Sequence, residues 1–257
     1  MNAKAIAVDT LETPLQRNLS KLVALSEQDA QFLNDLYSRR KTYPKRYELV
    51  LEGDTEQRGF VLWNGWACTY KMLLDGARQI VDVRIPGDFI GLRGLLLQAS
   101  DHSCIAETPV EISEFSWDEL LATFRRAPRF ATSVLWVAAR DEAILVEHLV
   151  DIGRRDTLSR TAHFMLELGE RLQSVRLGSH VGFECPLPQS LFADALGMSA
   201  IHMNRCLRIL RERGLMTFQN NQVTFDDRPG LAELAGFDAS YMNRRPPTSR
   251  SAIAREV

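Results

Sequence analysis

The sequence has little of what several classes of protein require. Its four cysteines, Cys68, Cys104, Cys185 and Cys206, are scattered with no C-x-x-C pair, which argues against a zinc ribbon, an iron–sulfur cluster or a secreted disulfide framework. Nowhere do about 18 apolar residues follow one another to span a bilayer. The opening MNAKAIAVDTLETP has too short an apolar run for a signal peptide. A reducing cytoplasm, with no membrane association, is therefore expected. Neither sign of charge dominates, with 31 Lys and Arg against 33 Asp and Glu and a formal net charge of −2. Any affinity for nucleic acid must then come from a local basic surface. There is no P-loop, no G-x-S-x-G elbow and no dinucleotide fingerprint.

What is present is ordinary globular composition, 45% hydrophobic and 25% charged over 257 residues, long enough for two domains. After a loose arm over 1–12, Leu15, Leu19, Leu22 and Leu25, then Phe32 and Leu36 behind a Ser26 cap, predict two short helices within 14–37. From Lys41 the period shortens. Runs over 48–51, 59–63, 66–73 and 79–85 are punctuated by Gly53-Asp54, Asn64-Gly65, Asp75-Gly76 and Pro86-Gly87-Asp88, with further strands near 103–107 and 110–115. This spacing predicts an antiparallel β-roll. A cupin-like β-barrel enzyme is one alternative, but its metal needs clustered His and Glu ligands. His102 is the one histidine of five in the roll, so neither enzymatic activity nor a cofactor or metal is expected.

Ser116 with Glu119 three residues later is a capping box that starts a helix. Beyond Pro128 a long helix over 130–152 sets Val134, Ala138, Asp141, Leu145, His148 and Ile152 near a heptad rhythm. Such a narrow seam either packs on the chain's own roll or pairs with a second copy, and the length of the helix favours a homodimer. Gly153-Arg154-Arg155-Asp156 interrupts the run, and Asp156 caps a further helix over 157–172. The chain thus divides into a helical and β-roll sensor domain over 1–128, a dimerisation helix over 129–153, a DNA-binding domain over 154–237 and a disordered tail over 238–257.

The stretch 198–214 carries two stripes when wound as an α-helix. Met203, Cys206, Leu207 and Leu210 fall on one face and make it apolar, while Ile201, Asn204, Arg205 and Arg208 repeat the spacing on the other. Alone, the second stripe reads as a solvated face. Its neighbours change that reading. A short helix over 190–196 precedes it, Gly197-Met198-Ser199 supplies a glycine turn and an N-cap serine, and 215–218 with 222–225 predict a β-hairpin wing. Helix, turn, helix and wing together predict a reader of the DNA major groove. An interaction module that has lost DNA binding is the alternative, and the arginines of the stripe speak against it.

This order of elements resembles the Crp/Fnr superfamily of bacterial transcription regulators. The resemblance rests on Glu52-Gly53-Asp54, the Asn64-Gly65 turn, Asp75-Gly76-Ala77-Arg78-Gln79-Ile80 and Pro86-Gly87-Asp88-Phe89-Ile90-Gly91 in the roll, and on Leu196-Gly197-Met198-Ser199, Asn204-Arg205 and Leu210-Arg211-Glu212-Arg213-Gly214-Leu215 beyond it. It implies an α+β fold: a cyclic-nucleotide-binding-like jelly roll, a long dimerisation helix and a C-terminal winged helix-turn-helix. It further implies a homodimer on double-stranded DNA with half-sites about one helical turn apart. Gln189, Ser199, Ala200, Ile201, His202, Asn204, Arg205 and Arg208 become the DNA-binding set, with His202 at a phosphate position and Arg205 foremost at a base. The family's polymerase-contacting loop falls over 174–182, so RNA polymerase is a candidate partner.

The candidate effector pocket comprises Gly91, Leu92, His102, Ser103, Leu145 and Val146. It departs from the family's cyclic-AMP binders. Leu92 follows Gly91 where a glutamate grips a ribose hydroxyl, and His102-Ser103 stands where an arginine and a serine meet the cyclic phosphate. Leu145 and Val146 replace the threonine–serine pair that meets adenine. Cyclic AMP is not expected as effector, because a buried phosphate needs its counter-charge. The oxygen-sensing branch's amino-terminal cysteine cluster is also absent. Cys104, in a strand, and Cys206, on the apolar stripe, are read as packed residues, with oxidation as the alternative for both.

Overall fold

The computed structural model describes residues 13–20, 25–56, 58–97 and 99–243. The arm over 1–12, Leu22 and the tail beyond residue 243 lie outside them. Two helices open the described chain, α1 (Pro14–Ser20) and α2 (Glu27–Ser38). Ser26 caps α2 in a capping box, its hydroxyl accepting from the Asp29 N–H while Asp29 Oδ2 accepts from the Ser26 N–H at 2.8 Å. The other oxygen of Asp29 accepts from the Phe130 N–H at 3.1 Å. One fully buried carboxylate therefore satisfies the starts of two helices 101 residues apart.

Eight strands form the roll: β1 (Lys41–Tyr43), β2 (Glu48–Val50), β3 (Arg58–Asn64), β4 (Ala67–Met72), β5 (Arg78–Arg84), β6 (Phe89–Ile90), β7 (Ser103–Ala106) and β8 (Val110–Ser116). They make two four-stranded sheets, ordered β1-β8-β3-β6 and β2-β7-β4-β5, with antiparallel pairing throughout. Phe60, Leu62, Cys104, Ala106 and Ile112 fill the space between them. Val61 and Trp63, on the other face of β3, are also buried, under α1, α2 and the long helix. Covering both faces explains why Phe60 to Trp63 is an unbroken apolar run rather than an alternation. The Trp63 indole N–H donates to Ser113 Oγ at 2.7 Å, and that hydroxyl donates to the Leu36 carbonyl at 2.6 Å.

Helix α3 (Leu92–Leu97) follows β6, and α4 (Trp117–Arg126), with its Ser116–Glu119 capping box, follows β8. The long helix α5 (Pro128–Arg154) runs across the roll, through Gly153, and ends at Arg155. Asp156 then caps α6 (Thr157–Ser174), accepting from two backbone N–H groups. Beyond it lie β9 (Gly178–Ser179), β10 (Gly182–Glu184), α7 (Gln189–Ala195), α8 (Ala200–Glu212), β11 (Met216–Gln219), β12 (Gln222–Phe225), α9 (Arg228–Ala235) and α10 (Ser240–Asn243).

Three features differ from expectation. The wing is a four-stranded sheet, β11-β12-β10-β9, because β10 pairs with β12 and β9, from the segment expected as a loop over 174–182, pairs with β10. The segment from 238 is ordered at its start: α10 packs on α5, with Met242 buried. The two domains also share one core. Ile80, Val83 and Ile85 of β5 and its exit join Phe164, Phe192 and Leu207 of the helical domain in a single cluster.

Removing the doubly used cap tests this account of the helix starts. Asp29→Ala leaves buried donors of α2 and α5 unmet and should lower the unfolding free energy by about 2–4 kcal/mol. Equilibrium denaturation in urea reads the loss, and an effect below about 0.5 kcal/mol would contradict the double-cap role.

Candidate DNA-binding face and sensor cavity

Helix α7 is anchored by Phe192, fully buried, whose ring meets Phe164 at 5.8 Å and Phe218 at 6.0 Å. Gly197, at φ +61°, turns the chain out of α7, and the Met198 N–H donates back to the Ala193 carbonyl at 3.0 Å. Ser199 caps α8 through the His202 N–H. Met203, Cys206, Leu207 and Leu210 are buried, and Ala200, Ile201, His202, Asn204, Arg205 and Arg208 are exposed. The two stripes therefore face as their spacing predicts.

Within the exposed face the side chains are not equally available. The Asn204 amide donates to the Ala200 carbonyl one turn back at 2.9 Å, and His202 Nδ1 lies 2.9 Å from Ser199 Oγ. Arg208 stands 3.8 Å from Glu212, a pair that solvent screens. Among the described residues no acid pairs with Arg205. Gln189 is half-buried in the first turn of α7, where Pro188 supplies no side-chain cap.

A cavity of about 270 Å³ lies between the roll and α5, and Gly91, Leu92, His102 and Leu145 line it. Gly91 has φ +78°, and a Cβ there would sit 2.8 Å from the Arg58 carbonyl oxygen, so the turn needs glycine. Two expected members are not there. Ser103 turns away, its hydroxyl accepting from the Glu52 N–H at 2.9 Å. Val146 lies on the outer side of α5. Sequence reasoning missed Arg84 from β5, and it placed Asp141 and Ala138 on a dimer seam although both line the cavity.

Every cation on this wall is already engaged by the chain's own carboxylates. Arg84 Nη1 is 2.7 Å from Asp141 Oδ2 and 3.3 Å from Asp82 Oδ2. Arg93 is 2.6 Å from Asp101, and His102 Nδ1 is 2.7 Å from the other oxygen of that carboxylate. Burial pushes the His102 pKa down, with Asp101 opposing only in part. A phosphate entering the cavity would have to displace these acids.

Arg84 belongs to a larger buried lattice. Arg171 of α6 donates to Asp82 and Asp88 at 2.9 Å each and to the Val83 carbonyl at 2.8 Å. Arg140 of α5 reaches Asn18 at 3.1 Å and Asp88 at 3.3 Å. Burial would raise the Asp82 pKa, but Arg171 and Arg84 together hold it at about 2. Burial likewise opposes charge on His148, yet Glu167, 3.1 Å from Nε2, and Asp82 hold its pKa at about 9. Tyr241 of α10 donates to Glu167 at 3.1 Å.

These contacts correct the expected dimer seam. Val134 is buried in the chain's own core, Asp141 is paired with Arg84, and His148 bridges Glu167 and the Val81 carbonyl. Ala138 and Leu145 line the cavity, and Ile152 alone of the six is a large apolar side chain open to solvent. Apart from Ile152, the seam faces the chain's own roll, its cavity and α6. The face turned outward instead carries Leu135, Ala139, Val146, Leu149 and Gly153, with Glu142 at its edge beside the cavity mouth and Leu149 73% exposed.

Cys68, Cys104, Cys185 and Cys206 are all free and buried. Burial pushes the thiols of Cys104 and Cys185 up to about 12, which disfavours the reactive thiolate. Among the described residues no cluster of His, Cys, Asp and Glu could hold a metal, and no helix is long and apolar enough to cross a membrane.

A roll with a cavity against a long helix, joined to a winged helix-turn-helix, is the architecture of a DNA-binding transcription regulator. The family model of the cyclic nucleotide-binding domain matches residues 40–127, and that of the Crp-like helix-turn-helix domain matches 159–234. The chain belongs to the Crp/Fnr superfamily of transcription regulators. It is 28% identical over 181 residues to the nitrogen fixation regulation protein FixK of Rhizobium meliloti, covering 70% of this chain and 78% of that protein. It is 24% identical over 221 residues to the transcriptional activator FnrA of Stutzerimonas stutzeri, covering 83% and 87%. The solved structure of FixK2 from Bradyrhizobium japonicum superposes with a TM-score of 0.69 at 23% identity, covering 78% of this chain and 98% of that one.

The His148 charge has a measurable consequence. Its folded pKa of about 9 exceeds the ordinary 6.5, so its stabilisation is complete below about pH 6.5 and is lost as pH rises through about 9. That is on the order of 3 kcal/mol, or a melting temperature lower by about 5–10 °C across the window. His148→Gln should flatten this decline in a thermal scan series from pH 6 to 9.5. Parallel curves for the two proteins would count against the assignment.

Proposed function

We propose that the protein acts in the cytoplasm as a homodimer on a palindromic operator, with Arg205 of each copy reading a guanine in successive major grooves. The observation that carries this reading is the exposed Arg205, paired with no acid among the described residues, at the centre of the polar stripe of α8. Its fork of donors suits the O6 and N7 acceptors of guanine, with Ser199 beside it on the side turned to the bases, whereas Gln189, His202 and Arg208 border it as phosphate partners. In this reading residues 1–128 sense, 129–153 pair the copies and 154–237 bind DNA.

The pairing surface is the outward face of α5. Leu135, Ala139, Glu142, Val146, Leu149 and Gly153 fall at i, i+4, i+7, i+11, i+14 and i+18, the alternation of a two-stranded coiled coil. The exposed turn between β9 and β10, with Leu177 and Val181 at its base and tip, is the surface for RNA polymerase. Cyclic AMP is not the effector in this reading, since Asp82 and Asp141 already engage Arg84, the buried cation of the cavity wall.

Two variants test the reading. Arg205→Ala should bind its selected operator about 1–3 kcal/mol more weakly and lose preference at one base pair of each half-site; an unchanged consensus and affinity in a random-sequence selection would refute the role. Leu149→Asp should shift the protein from dimer to monomer in sedimentation, because it buries two like charges across the seam. A variant that stays dimeric would place the interface elsewhere.

A further inference from the structure

The outward stripe of α8 begins with a side chain that forms no hydrogen bond. Ile201 is 82% exposed, the most exposed large apolar side chain of the helix-turn-helix and wing among the described residues. Isolated apolar residues on a surface are common and need no explanation by themselves. This one is distinguished by where it stands. It is β-branched in the first turn of a helix whose other exposed positions are small or polar, and branching at Cβ lowers helix propensity. It also lies one turn from Arg205 on the same face.

Building on α8 as the recognition helix, we propose that Ile201 is a specificity-determining residue that reads the C5-methyl group of a thymine in the major groove. The thymine methyl is the apolar group that base edges display there; the others are hydrogen-bond donors and acceptors. A side chain made only of carbon leaves those donors and acceptors dehydrated without a partner, so it disfavours the other bases while gaining from the methyl. Asn204 does not compete for that contact, since its amide is held by the Ala200 carbonyl. Ala200, the preceding residue, is too short to do more than line the approach.

The spacing also locates the base. Ile201 and Arg205 are separated by about 6 Å along the helix axis, and stacked base pairs by about 3.4 Å. Laid at any tilt in the groove, α8 projects that separation onto no more than about two steps, so the thymine stands within about two base pairs of the guanine that Arg205 reads.

Deoxyuridine differs from thymidine by that methyl alone. The operator is first selected from random DNA with the wild-type protein, and each thymine of a half-site is then replaced singly by deoxyuridine. One replacement, within two base pairs of the Arg205-dependent guanine, should weaken wild-type binding about fourfold, the worth of one buried methyl. Ile201→Ala, a surface change checked for folding by circular dichroism, should bind both DNAs equally and select thymine less strongly there. The proposal is overturned if no single deoxyuridine weakens wild-type binding, or if Ile201→Ala loses the same factor. A guanine that still depends on Arg205, with no methyl effect, removes the Ile201 assignment alone. A wild-type protein that selects no sequence removes the reading of α8 with it.

Discussion

Arg171 is the group on which the arrangement of the two domains depends. It leaves α6, enters the β-roll and is surrounded there by Asp82, Asp88 and the Val83 carbonyl. Taking a guanidinium out of water costs several kcal/mol, and only closely placed carboxylates offset it. Those carboxylates are themselves shared, Asp82 with Arg84 and Asp88 with Arg140. The charges are satisfied together in one relative placement of β5, α5 and α6. An apolar joint of the same area could slide by a fraction of a turn, whereas this one leaves buried ions unpaired when it moves.

The features written locally were the ones legible in the sequence. The Ser116 capping box, the Gly197 turn and the two faces of α8 are each set by side chains within a few residues, and all three stand where the spacing placed them. The α5 seam was not legible in the same way. Its apolar rhythm fixes that one face is covered but not by what, and the groups that cover it, Arg84 and Glu167, lie 57 and 19 residues from the helix positions they meet. The pocket shows the same limit at finer scale. Carrying over neighbouring pairs put Ser103 beside His102 and Val146 beside Leu145, yet His102 ends the turn before β7 while Ser103 opens the strand and is held by the Glu52 N–H, and adjacent side chains on a helix diverge by about 100°. One of each pair faces the cavity and the other does not.

Nothing in the local sequence marks Arg84, because arginine and aspartate two residues apart in a strand are equally the pattern of a solvated edge. Its true setting follows from the cover that α5 and α6 place over β5. Once water is gone, each charge must find an opposite within reach, and the Arg84–Asp82–Arg171 sequence of contacts is the result. The same covering explains the raised His148 pKa, which is held by Glu167 and Asp82 rather than by solvent.

The cavity and the joint between domains meet at one residue. Asp141 lines the cavity, accepts from Arg84 at 2.7 Å and stands 3.4 Å from Arg140, whose other carboxylate, Asp88, also holds Arg171. The cavity wall is therefore joined to α6, and through the shared core to the domain that carries α8, by one unbroken run of paired charges, Arg84–Asp141–Arg140–Asp88–Arg171. No member of that run can change partner without leaving another charge of the run unmatched, and for Asp88, Arg140 and Arg171 that charge is out of reach of solvent.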